Sequence, residues 1–234
     1  MTTRLNAYYQ RTIQEYDKAH LAPDDEHYVA MSRTLPAAKS LGVRSLLDVG
    51  CGTGRALAWY ARELPGVTLN GLDPSPEMAD QARQRVPEAD IRVGQGEALP
   101  YVDGQFDMVC ATGVLHHADH PEPCIREMFR VASKAVLISD HNNFAFGGDW
   151  SRRLRLALYA TGTLGLFTFI KQGFRRQGYS EEDGYWYPYS LLNNYGLISQ
   201  LAREVWVVPT RPSNANHLGN FMMSQSHLAI WAVK

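Results

Sequence analysis

Short apolar runs alternate with longer amphipathic stretches through most of this chain. "RSLLDVG", residues 44–50, is a compact apolar run and reads as a buried strand. "ALAWYARELPG" follows with helical spacing and is stopped by Pro65 and Gly66. The rhythm repeats with "VTLNGLD" as a strand and "PSPEMADQARQRV" as a helix, where Ser75 is placed as N-cap with Glu77 and Met78 in the first turn. "DIRVG" and "FDMVCAT" read as further strands, "PEPCIREMFRVA" as a helix and "KAVLISD" as a strand. Strands separated by helices of this length predict a parallel sheet covered on both faces.

Both flanks depart from that rhythm. The first 42 residues look helical, with Tyr8, Ile13 and Tyr16 at helical spacing. Residues 144–189 hold twelve of the chain's 25 aromatic residues, which marks them as a separate inserted segment. A helix around "SLLNNYGLISQLA" and two strands, "EVWVVPT" and "SHLAIWAV", complete the chain. The alternation in the last suits an antiparallel strand.

Composition narrows the setting. With 234 residues, 45% hydrophobic and 20% charged, the chain suits one α/β domain with a modest insertion. A net charge of −1 gives no electrostatic reason to expect nucleic acid. Cys51, Cys110 and Cys124 form no CxxC pair and no metal-ligand spacing, which fits a reducing compartment. The amino terminus lacks the apolar core of a signal peptide, so a cytoplasmic protein is expected.

Candidate chemistry begins at "LLDVGCGTGR", with glycines at 50, 52 and 54 directly after a strand. A dinucleotide fingerprint, G-x-G-x-x-G, needs its third glycine where this chain has Arg55. Asp48, just before the first glycine, would repel a diphosphate but attract a ligand that carries an ammonium and a sulfonium. Asp73 ends the second strand, where a carboxylate can accept hydrogen bonds from both ribose hydroxyls.

With these residues the chain resembles the class I, seven-stranded S-adenosylmethionine (SAM)-dependent methyltransferases, in particular their small-molecule group. "LLDVGCGTG" resembles that family's first motif, "GLDPSPEMADQAR" its ribose-binding turn and "VGQGEALPYVDGQFDMV" the approach to strand four. "VLHHADHP" resembles the following loop and "EMFRVASKAVLIS" the fifth strand region. The resemblance implies a doubly wound sheet ordered 3-2-1-4-5-7-6 with strand 7 antiparallel, in one domain over residues 1–234. It further implies a helical lid over residues 1–42, to which Tyr8 and Tyr16 belong, and a substrate-facing insertion at 144–189. Carried over by position, Gly50, Cys51 and Gly52 line the methionine part of the cofactor. Asp73 holds the ribose, and Pro74 and Met78 lie against adenine. The family often has an acidic residue where this chain has Gln95, so the adenine contact falls to Gln95, Gly96 or Glu97.

The implied reaction is methyl transfer from SAM to a small-molecule acceptor by in-line displacement, leaving S-adenosylhomocysteine. A hydroxyl acceptor usually needs a proton removed, and His117, His141 and Asp140 are the candidates for base or orienter. The histidine loop is expected to shape the pocket without metal. "LALYATGTLGLFTFI", residues 156–170, carries no charge and has arginines and a lysine on both sides. It reads as a pocket wall, a homodimer contact or a peripheral membrane contact through residues 152–176. Two other functions stay open: C-methylation of a lipid-like or quinone acceptor at a membrane surface, and a SAM-binding domain without catalysis.

Overall fold

The computed structural model describes residues 25–145, 147–180, 184–210 and 226–234. Tyr8 and Tyr16, expected in a lid, lie outside these residues. What is described of the amino-terminal region is helix α1 (Glu26–Ser40), opened by Asp25, whose carboxylate accepts from the His27 and Tyr28 amides.

The alternating pattern forms as read: β1 (Ser45–Val49), α2 (Arg55–Glu63), β2 (Thr68–Asp73), α3 (Pro76–Arg85), β3 (Asp90–Val93) and β4 (Phe106–Thr112). Helix α4 (Glu122–Val131) and strand β5 (Ala132–His141) follow. Ser75 caps α3, its Oγ accepting from the Met78 amide at 3.3 Å. The inserted segment forms α5 (Asp149–Ala160), α6 (Leu164–Lys171) and a hairpin of β6 (Gly178–Ser180) with β7 (Gly184–Trp186). Helix α7 (Tyr195–Leu201) and strands β8 (Glu204–Pro209) and β9 (His227–Val233) complete the described chain.

The main sheet has the order β3-β2-β1-β4-β5-β9-β8. With the separate β6–β7 hairpin set aside, this is the expected 3-2-1-4-5-7-6. β9 runs antiparallel to both β5 and β8. Side-chain parity explains the two-sided core. Leu46, Met108, Leu137 and Trp231 join the cluster under α1, α2 and α3, while Leu47, Val109, Val136 and Ile230 join the one under α4 and α7. Asp48 shares the parity of Leu46 and Asp140 that of Ile138, so the two carboxylates belong to opposite sides at the carboxyl edge of the sheet. That edge is where open α/β sheets bind ligands.

The uncharged stretch 156–170 is two helices rather than one. Its break is Gly162, at φ +71°, between two threonines.

Candidate functional site

The glycine turn after β1 is tied to the end of β2. The Gly50 and Cys51 amides both donate to the Leu72 carbonyl, at 2.7 and 3.1 Å. Asp73 then holds the turn's outer limb, its carboxylate accepting from the amides of Gly52 at 2.9 Å and Ser75 at 2.8 Å. Gly50 sits at φ +71°, and a Cβ there would lie 2.6 Å from a Val114 methyl, so only glycine lets the β4 loop close over this turn. A Cβ on Gly52, by contrast, would meet nothing within 4 Å.

Two adjoining clefts share Gly50, Val114 and His117. The first is lined by Asp48, Cys51, Gly52, Asp73 and Met78, together with His27 and Met31 of α1. The second takes in Pro74, Gln95, Gly96 and Glu97. All ten residues expected around the cofactor therefore line one continuous neighbourhood, divided by Val114.

Electrostatics suit a cation. Asp48 and Asp73 are both buried at the first cleft. Burial pushes the Asp48 carboxyl up to about 7, against the Cys110 thiol that donates to its Oδ1 at 3.4 Å. Burial likewise raises Asp73 to about 6, against the amides of Ser75 and Gly52. This donor set fits SAM: two carboxylates for its cationic and hydroxyl groups, and open space over Gly52. Both carboxyls keep a proton in the fold at pH values where the unfolded chain, near 4, has lost it. The unliganded fold therefore loses stability as pH rises from about 4 to 7, and a bound cation offsets that loss. The thermal shift produced by SAM is expected to be larger at about pH 8 than at about pH 6, and Asp48→Asn to flatten that difference. A thermal-shift series across pH checks both. Asp73→Ala is expected to weaken SAM binding by about 1–3 kcal/mol in titration calorimetry, through lost hydrogen bonds to ligand and turn.

The expected catalytic residues come together at the carboxyl ends of β4 and β5. Asp140 is fully buried and accepts four bonds: from the amides of Val114 (3.1 Å), Leu115 (2.8 Å) and His141 (2.7 Å), and from His116 Nδ1 (2.8 Å). Burial opposes its charge, but His116, His141 and these donors hold it well below the usual carboxylate range. The bonds from Val114 and Leu115 tie Asp140 to the β4 loop. His117 lines both clefts, and its Nδ1–H donates to the Tyr185 carbonyl at 2.8 Å, which turns Nε2 into the acceptor. His141 stacks on His116, ring centroids 4.1 Å apart, and packs edge-on to His227 at 4.7 Å.

Sequence reasoning missed His27 and His227. They extend a row of five rings, His27–His227–His141–His116–His117, with neighbouring centroids 4.0–5.9 Å apart. His27 reaches the β4 loop because Gly113 has no Cβ to meet its Nε2, and its Nδ1 pairs with Ser139 Oγ at 3.0 Å. Burial lowers its pKa to about 4, so it is neutral at physiological pH. One group among the described residues, His116, Asp140 and His141, brings three potential metal-ligand atoms within 4.8 Å of one another. Its two rings stack and its carboxylate accepts four hydrogen bonds.

Residues 47–138 match a family model described as a methyltransferase domain. The chain is 33% identical over 101 residues to norajmaline N-methyltransferase of Rauvolfia serpentina, covering 41% of this chain and 34% of that one. It is 40% identical over 93 residues to demethylmenaquinone methyltransferase of Deinococcus radiodurans, covering 38% of each. The matched part thus spans little more than a third of these relatives' length. A SAM-dependent methyltransferase of Thermotoga maritima shares the fold over 98% of this chain and 99% of its own, with a TM-score of 0.59 at 20% identity. Residues 47–138 thus match a methyltransferase domain, the chain has the Rossmann-like fold of SAM-dependent methyltransferases, and both findings support S-adenosyl-L-methionine as the cofactor.

Proposed function

We propose that the chain transfers a methyl group from SAM to a small-molecule acceptor, at oxygen. The carrying observation is that His117, with its Nδ1–H held by the Tyr185 carbonyl, lines the same cleft as the buried carboxylates Asp48 and Asp73. The chemistry that SAM supplies when bound there is an electrophilic methyl group. The chain's part is to hold that cofactor with Asp48, Asp73 and the glycine turn, and to place His117 Nε2 where it can take an acceptor's proton. Asp140 fixes the β4 loop that carries His117, through the Val114 and Leu115 amides. The inserted segment supplies the acceptor side, since the β7 carbonyl of Tyr185 orients His117 and the Tyr187 amide donates to the His116 carbonyl at 2.7 Å.

The test is release of S-adenosylhomocysteine from SAM across a panel of phenols, catechols, amines and quinols. Turnover on hydroxyl compounds supports the reading. Turnover on amines alone, as the norajmaline N-methyltransferase name describes for that relative, moves the reaction to nitrogen. Binding of SAM without any turnover leaves a SAM-binding domain.

A second reading, C-methylation of a lipid-like quinol, is favoured by one observation. A cavity of about 740 Å³ lies beneath the insertion, lined by Phe144, Tyr159, Leu166, Phe169 and Tyr187 with Arg175 and Arg176. That volume suits a ligand with an apolar body. The match to a demethylmenaquinone methyltransferase points the same way. Methylated ring carbon in the product of a quinol substrate, identified by NMR, distinguishes it from O-methylation.

A further inference from the structure

Among the described helices, α5 and α6 alone bury none of their own residues. Trp150 is 83% exposed, Phe174 70%, Ile170 52% and Leu154 48%. Trp150 and Leu154 lie one turn apart on α5, and Phe174 follows α6 at φ +61°, a left-handed conformation that bulky residues rarely hold. Large apolar side chains grouped in this way mark an interaction surface.

Charge says what covers it. From residue 149 to 176 the sequence has six basic residues, Arg152, Arg153, Arg155, Lys171, Arg175 and Arg176, against the single acid Asp149. This net excess of five positive charges sits in a chain whose total is −1. Arg155 is anchored to Asn143, and Arg153 lies over the Trp150 ring at 5.9 Å. Lys171, Arg175 and Arg176 are exposed and alternate along the chain with Ile170 and Phe174. Exposed large apolar side chains interspersed with cations are the chemistry of helices that lie in a bilayer interface. No described helix is long and apolar enough to cross a membrane.

We propose that the α5–α6 hairpin docks on an anionic phospholipid surface. Trp150, Leu154, Ile170 and Phe174 enter the headgroup–acyl boundary, and the basic residues meet the lipid phosphates. The proposal is independent of which acceptor the site methylates.

The experiment is flotation of the full chain with vesicles of phosphatidylcholine alone, and of phosphatidylcholine mixed with phosphatidylglycerol. The chain is expected to float with the mixed vesicles, to be left behind by the zwitterionic ones and to be released by salt. Ile170→Ser with Phe174→Ser, and separately Lys171→Gln with Arg175→Gln and Arg176→Gln, are each expected to reduce the bound fraction about tenfold. Both sets lie outside the cofactor clefts, so unchanged affinity for S-adenosylhomocysteine shows that the variants are folded. Equal binding to both vesicle types would overturn the proposal, as would failure to bind either. Sedimentation velocity adds a third contrary outcome: a dimer that the Ile170/Phe174 variant dissolves, without vesicle binding, means that a second copy covers the face.

Discussion

Replacing Asp140 with alanine is expected to destabilise the fold by about 3–5 kcal/mol, because it breaks a buried hydrogen-bond network and leaves four donors without their acceptor. The reason is the number of groups that depend on one side chain. The amides of Val114, Leu115 and His141 and Nδ1 of His116 all lose an acceptor that is itself fully buried. Asp140→Asn is expected to cost less, since one carbonyl oxygen remains, but its NH2 group then faces donors. Urea unfolding followed by circular dichroism checks both. A loss below about 1 kcal/mol for the alanine variant would show that Asp140 is not the centre of this network. The two losses should also separate in function, since the asparagine variant retains part of the loop geometry that carries His117.

His117→Ala is expected to lower kcat on a hydroxyl acceptor by about 10²–10³, the usual contribution of a positioned general base. Affinity for S-adenosylhomocysteine should change little, because the proposed cofactor contacts are the buried carboxylates and the glycine turn. The split identifies the role. Proton removal appears in kcat and its pH profile, whereas a side chain that merely fills the cleft appears in binding. His117→Asn sharpens the contrast. Its amide nitrogen falls where Nδ1 stood and can still donate to the Tyr185 carbonyl, so it keeps the orienting bond seen at 2.8 Å while lacking a base. Stopped-time assays of S-adenosylhomocysteine release with the accepted substrate provide the measurement. Equal kcat for wild type and both variants would remove His117 from the chemistry.

The sheet was legible because each strand is a short apolar run closed by glycine or aspartate, and each helix has a cap or a breaker. The same punctuation put Asp48 and Asp73 at strand ends, where burial and charge could be anticipated. Contacts across long separations left no local signal. His27 reaches Ser139 over 112 positions, and His227 reaches Glu26 from the far end of the chain. Asp140 was recognisable as chemically capable, but not as the acceptor of four donors, because three of these are backbone amides that any residue supplies. The insertion was legible as an anomaly of composition. Its division at Gly162 was not, since the apolar run carries no charge or proline there.

On the proposed reading, Asp48 and Asp73 make this cleft a site for the cationic cofactor rather than for a dinucleotide. The decisive experiment is titration calorimetry of the full chain with SAM, and separately with NADH. SAM is expected to bind at one site, more tightly at about pH 8 than at about pH 6, and NADH to give no saturable heat. Saturable NADH binding with no binding of SAM would contradict the account.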